Sequence, residues 1–307
     1  MSCSITIMLG SYNGQEYIAD QLNSIWGQNH KNWSLVVSDD GSTDRTVNIV
    51  DNHIRKWPDG KLSIRRGPRG GFCRNFLSMA CDTHLTSDYY AFSDQDDLWD
   101  PQKLSRALEW LADIPNNIPA LYCGRTLSID NDGNHLGLSP NFRLPPSFRN
   151  ALVQSIAGGN TMVFNEAARQ LLIAVGDNAD VPSHDWWLYI LVTGSGGVVK
   201  YDPTPMLYYR QHEGNLVGAN SNLRARWSRV VQLFQGRLRG WNALHLRELE
   251  NVRHLLTVEN QQLLEKFVKL RNDNLLQRVV SFIKSGIHRQ TILGHLGLLT
   301  AVICKKV

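Results

Sequence analysis

Short apolar runs alternate with amphipathic stretches along the first half of the chain. Residues 4–9 form one apolar run, broken by a polar loop at 10–14. Ile18, Leu22, Ile25 and Trp26 then recur at helical spacing. Residues 33–38 predict a second strand, after which Ser42 or Thr43 is expected to cap a helix carrying Val47, Ile49 and Val50. A short strand at 62–64, a glycine-rich loop at 67–71 and a helix over 72–85 follow. A fourth strand, 89–93, runs into Asp94, Asp96 and Asp97, and a helix is expected over 101–113.

Strand, loop and helix repeated four times predict an α/β fold with a mainly parallel, Rossmann-like sheet. In such sheets ligands sit beyond the carboxyl ends of the strands. The loops at Ser11-Tyr12-Asn13, at Asp39-Asp40-Gly41-Ser42 and at Asp94-Gln95-Asp96-Asp97 all fall there, so they should converge on one crevice. Further on, the pattern predicts strands at 120–124, 161–164, 197–201 and 206–209, a turn at 131–134, and helices at 166–175 and from His184. From residue 222 the composition shifts to long helices, expected over 223–240 and 241–284. The apolar run 292–304 is thirteen residues, short of the about 20 needed to span a bilayer. It fits a buried or an interfacial helix. The division is therefore a domain at 1–220 and a helical C-terminal extension at 221–307.

Charge separates the same two regions. Residues 1–220 carry 17 Lys+Arg against 23 Asp+Glu, net −6; residues 221–307 carry 15 against 5, net +10. A basic tail can meet anionic lipid, an acidic partner or nucleic acid. The front region lacks the basic helices of nucleic-acid readers, so no nucleic-acid partner is expected. The five cysteines have no Cys-x-x-Cys spacing, which points to reduced thiols in a cytoplasmic setting. Met1 leads straight into a strand-like run, without the pattern of a signal peptide. Phosphate-loop, dinucleotide-fingerprint, zinc-protease and nucleophile-elbow motifs are absent.

Three carboxylates within four residues repel one another unless they are solvated or neutralised. Such an oxygen-rich cluster suits Mg²⁺ or Mn²⁺ shared with a phosphate ligand; the competing reading is a solvated acidic turn. The order Ser11-Tyr12-Asn13, then residues 38–44 (Ser-Asp-Asp-Gly-Ser-Thr-Asp), then residues 92–99 (Phe-Ser-Asp-Gln-Asp-Asp-Leu-Trp), then His184-Asp185-Trp186-Trp187 and Tyr209-Arg210-Gln211-His212, resembles the family 2 glycosyltransferases of the GT-A fold. It is most similar to their bacterial rhamnosyltransferase branch. The resemblance covers roughly residues 4–218.

The resemblance implies a site. Ser11, Tyr12, Asn13, Glu16, Asp39, Asp40, Arg74, Asn75, Asp94, Gln95 and Arg210 would bind a dTDP- or UDP-sugar donor, with Asp40 accepting from the imide N–H of the base. Asp96 and His212 would hold Mg²⁺ or Mn²⁺. Asp185 would be the general base of an inverting displacement. Asp97, Trp186 and Trp187 would face the acceptor. Each has a structural alternative: a helix-cap carboxylate for Asp40, a first-turn acid for Glu16, a solvated helix start for Arg74 and Asn75, core indoles for the tryptophans, and a strand-end ion pair for Arg210 and His212.

The leading expectation is a metal-dependent, inverting transferase moving rhamnose from dTDP-rhamnose to a lipid-linked surface polysaccharide such as O-antigen or capsule. It would work in the cytoplasm, at the inner face of the cell membrane, with the basic helices on anionic lipid. Alternatives are a UDP-galactose or UDP-glucose donor, a non-catalytic nucleotide-sugar or carbohydrate-binding module, and a structural adaptor docking through the tail. A homo-oligomer stays open.

Overall fold

A computed structural model describes residues 3–212 and 237–307. Its first half alternates as expected: β1 (Ile5–Ser11), α1 (Ile18–Trp26), β2 (Trp33–Asp39), α2 (Thr46–Ile54), β3 (Leu62–Arg66), α3 (Phe72–Ala80), β4 (Tyr89–Ser93), β5 (Leu98–Trp99) and α4 (Lys103–Leu111). Then come β6 (Ala120–Gly124), the hairpin β7 (Leu127–Ile129) and β8 (His135–Leu138), α5 (Phe148–Ala151), β9 (Val163–Asn165), α6 (Glu166–Val175), α7 (His184–Gly194), β10 (Val198–Asp202) and β11 (Leu207–Arg210).

Seven strands form the main sheet in the order β10-β6-β9-β4-β1-β2-β3. Only β9 among them runs antiparallel to its neighbours. A second sheet, β5-β11-β7-β8, lies at one end. Strand alternation divides the interior in two. Ile5, Ile7 and Leu9 of β1 and Tyr89 and Ala91 of β4 enter one apolar cluster, with α1 and α4. Met8, Tyr90 and Phe92 enter the other, with α3, α6 and α7. Parallel register places Ser11 beside Asp39 and Leu9 beside Ser93, so the three acidic or polar loops leave the sheet at one edge.

The helices after the gap are α8 (Arg237–Asn251), α9 (Val258–Asn272), α10 (Leu275–Ser285) and α11 (Ile292–Ile303). The expected single helix over 241–284 is corrected to three. Thr257 and Asn274 accept hydrogen bonds at their own helix starts, from the Asn260 and Gln277 amides, and restart the chain. The boundary expected at 220/221 lies outside the described residues, as do residues 215–218. Leu249, Leu264, Phe267 and Leu298 of these helices share the apolar cluster that contains α7. The helix expected over 72–85 ends at Ala80. Ser42 and Thr43 do not cap α2, which begins at Thr46 behind Asp44.

Candidate active site

The first two loops are stitched together side chain to backbone. Asn13, at φ 47°, adopts the left-handed conformation that Asn tolerates. Its amide donates to Ser42 Oγ at 2.8 Å, and its Oδ1 accepts from the Thr43 amide at 2.8 Å. Asp39 is used up inside its own loop. One oxygen accepts from the Gly41 and Ser42 amides, the other from the Ser11 and Ser42 hydroxyls. Asp39 and Ser11 thus shape the loop from buried positions.

Asp40 points the other way. Its Oδ1 accepts from the Arg69 amide at 2.6 Å and its Oδ2 from the Gly71 amide at 2.8 Å, fastening the glycine-rich loop to β2. A carboxylate offers about four lone-pair sites, so two bonds leave it room for a ligand N–H. Asn75 is buried, exchanging two hydrogen bonds with Ser38, so it ties α3 to the sheet. Arg74 is exposed and bonded to Asn178. Glu16 lines an open cleft of about 470 Å³ with Asn13, Gln15, Thr43, Asp44 and His212.

The acidic loop is held from both sides. Gln95 clasps the backbone of Tyr12, accepting from its amide and donating to its carbonyl, both at 2.9 Å. Asp96 Oδ2 lies 2.9 Å from His212 Nε2. Asp97 is fully buried; Oδ2 accepts from Asn160 Nδ2 at 2.6 Å while Oδ1 has no hydrogen-bond partner. Burial, Asp96 and Asp185 push the Asp94 carboxyl up to about 8, against the pull of Lys103. Burial, Asp96 and Asp94 likewise raise Asp97 well above the ordinary carboxyl range. The Lys103 ammonium is buried too, 3.6 Å over the Trp99 ring, and burial brings it down to about 7 against the opposing pull of Asp97 and Asp94. Asp94 and Asp97 are thus biased toward the protonated form, a bias that a divalent cation beside the loop would reverse.

Asp185 opens α7 with both oxygens anchored, one on the Gly159 amide at 3.0 Å and one on its neighbour Trp186 at 2.6 Å. His184 is stacked on Phe76 at 4.1 Å inside the core, and burial brings its imidazole down to about 4. The expectation that Trp186 and Trp187 face an acceptor is corrected. Both indoles are buried, Trp186 donating to the Ala151 carbonyl and lying edge-on to Trp241. The reason is that α7 is apolar on every side and is covered by α8. Arg210 is buried as a clamp: it donates to the Asp96 carbonyl, the Asn131 carbonyl and Asp20. It therefore fixes the acidic loop to the hairpin and to α1.

The sequence profile of Glycosyl transferase family 2 matches residues 6–172, more than half of the chain. This chain belongs to glycosyl transferase family 2. It is 30% identical over 236 residues to the dTDP-rhamnosyl transferase RfbG of Shigella flexneri, covering 72% of this chain and 78% of that one. In fold it is similar to TarS of S. aureus, residues 1–349, in complex with UDP (TM-score 0.59, 15% identity, 99% of this chain, 88% of that chain). It is also similar to the mannosyltransferase PcManGT of Pyrobaculum calidifontis in complex with GDP-Man and Mn²⁺ (TM-score 0.51, 17% identity, 100% and 87%). The sheet flanked by helices is thus a GT-A fold, and the chain is a nucleotide-sugar glycosyltransferase of an inverting family.

Membership gives the acidic loop a test. Among the described residues, no group of three or more His, Cys, Asp or Glu side chains is arranged to hold a metal ion. The Asp96–His212 pair nonetheless fits. The two are hydrogen-bonded to each other at 2.9 Å, which sets a carboxylate oxygen and an imidazole nitrogen, donor types that Mn²⁺ accepts, side by side. The remaining positions would fall to phosphate oxygens and water. Sequence reasoning missed Lys103 and Asn160. Lys103 sits in the first turn after a proline and reads as solvated; Asn160 was visible only as part of a tight Gly158-Gly159-Asn160 loop.

Proposed function

We propose that this glycosyltransferase moves rhamnose from dTDP-rhamnose to a lipid-linked saccharide of a surface polysaccharide, with inversion, in the cytoplasm at the inner face of the membrane. The observation that carries this reading is the convergence of Asp40, the Asp96–His212 pair and Asp185 on one edge of the sheet. Similarity to a dTDP-rhamnosyl transferase supports the donor. Residues 1–220 are taken as the catalytic unit and 221–307 as its helical extension.

Asp40 accepts from the imide N–H of thymine, and Glu16, on the open cleft, takes the ribose. Ser11, Asn13, Asp39 and Asn75 hold the loops that make this pocket, and Gln95 holds Tyr12 across it. Asp96 and His212 would hold a Mn²⁺ or Mg²⁺, whose positive charge would favour departure of the diphosphate. Arg210 positions Asp96 through its carbonyl. The acceptor oxygen attacks the anomeric carbon as the bond to diphosphate breaks, and its proton passes to Asp185. The amides of Gly159 and Trp186 aim that carboxylate.

A thermal-shift panel of nucleotide sugars with Mn²⁺ tests the donor. Stabilisation follows ligand occupancy, so dTDP-rhamnose should give the largest rise in melting temperature. A larger rise with UDP-galactose or UDP-glucose would assign the donor elsewhere. Binding without transfer to any saccharide acceptor would leave a carbohydrate-binding module.

A further inference from the structure

The last two helices expose apolar side chains at helical spacing. On α10, Leu276 (75% exposed) and Ile283 (70%) flank Val280, one stripe at i, i+4 and i+7. On α11, Ile292 (82%), Leu293 (74%) and Leu296 lie on one face at i, i+1 and i+4. Their opposite faces are buried, through Phe282 on α10 and Leu298, Ala301 and Val302 on α11. The stripes are therefore a second apolar surface, the kind a soluble domain rarely leaves open.

Charge identifies what covers it. Residues 275–307 contain five Lys+Arg and no Asp or Glu. Lys284, next to Ile283 of the α10 stripe, and Lys305, just after α11, are exposed. Length excludes a span: the twelve residues of α11 rise about 18 Å, against a hydrocarbon core of about 30 Å. Among the described residues no helix is long and apolar enough to cross a membrane. A basic, apolar, non-spanning surface matches an anionic lipid interface in which helices lie in plane.

The start of α11 is tied to the loop that follows the second sheet. Gln290, just ahead of α11, accepts from the Leu144 amide at 3.1 Å and donates to the Leu144 carbonyl at 3.0 Å. Leu144 is itself exposed, as are Leu136 and Leu138 of β8. That strand belongs to the hairpin whose Asn131 carbonyl receives Arg210.

We propose that the stripes of α10 and α11 form a docking surface for an anionic lipid bilayer, which the protein meets from the side without spanning it. It rests on the reaction read above only for its use, which is to bring the site to a lipid-linked acceptor.

The full chain is tested by cosedimentation with phosphatidylcholine vesicles, with and without phosphatidylglycerol, at low and high salt. The wild type should bind vesicles containing phosphatidylglycerol, more weakly at high salt. L276S/L293S, at side chains that already face solvent, should lower the partition by on the order of a hundredfold. K284E/K305E should remove the preference for phosphatidylglycerol. Turnover on a soluble acceptor should be unchanged in both variants. The proposal is overturned if wild type binds no phosphatidylglycerol vesicle at low salt, or if L276S/L293S binds as wild type does. A dimer that L276S/L293S dissolves would assign the surface to a second copy and overturn it equally. Vesicle binding without any transfer activity would defeat the reading of the reaction and leave this one standing.

Discussion

His212 Nε2 and Asp96 Oδ2 meet at 2.9 Å, although one residue follows β11 and the other follows β4, 116 positions apart in sequence. The His212 ring also packs at 4.6 Å on Tyr17 of the loop before α1. Three segments thus hold one donor pair. Asp96→Ala should reduce turnover on the order of 10³-fold, the scale of losing a main electrostatic contact to the leaving group. His212→Ala should weaken Mn²⁺ activation by about 10–100-fold while leaving some turnover at saturating metal. A Mn²⁺ titration of initial rate checks both. An unmoved midpoint in His212→Ala would remove the histidine from the metal.

Asp185→Asn tests the proposed base. Because each Asp185 oxygen accepts one backbone N–H, the amide substitution sets an NH₂ against a donor. That mismatch should destabilise by about 1–2 kcal/mol, a few degrees of melting temperature. Turnover of the folded variant should fall further, by about 10²–10⁴-fold, because no group remains to take the acceptor proton. Near wild-type turnover would show that Asp185 does not serve as base.

Much of this architecture was legible from residues alone. The runs at β1, β2 and β4 are apolar enough to be central strands, and parallel connection logic alone brings their polar ends together. What was not legible depended on packing across the chain. Lys103 lies in a first helical turn, and nothing local says that Trp99 and two buried carboxyls enclose it. The clamping role of Arg210 was hidden because its partners in α1, the acidic loop and the hairpin are distant in sequence. The two tryptophans carried a readable signal that spacing motifs hid: residues 186–192 are apolar without a break, which a surface helix does not tolerate.

Gly14 and Gln95 form a coupled pair. A Cβ on Gly14 would lie 2.2 Å from Gln95 Oε1, so alanine must displace the amide that clasps Tyr12. Gly14→Ala should destabilise by about 1–3 kcal/mol and raise the KM for donor. On a Gln95→Ala background the obstruction is gone, and the same change should cost close to nothing. Denaturant melts of the four proteins of this cycle measure the coupling. Additive effects would mean that the loop avoids the collision by another route.

Acid should destabilise the protein through two core histidines. Burial brings His184 down to about 4 and His245 to about 3. His245 packs at 4.6 Å against Trp186 and at 5.9 Å against Trp187, and neither of its ring nitrogens has a hydrogen-bond partner. An unfolded histidine titrates near 6.5, so between that value and the folded one the unfolded state binds more protons. Stability is therefore complete above about pH 6.5 and falls as pH drops through the window toward 3–4. The lowered value of His184 alone corresponds to about 3 kcal/mol across it. His245→Leu keeps an apolar side chain of similar volume in the core and removes one of the two protons. Its melting temperature should fall less steeply between pH 6.5 and 4 than that of the wild type. A parallel decline in both proteins would mean that carboxylates, not His245, dominate the acid limb.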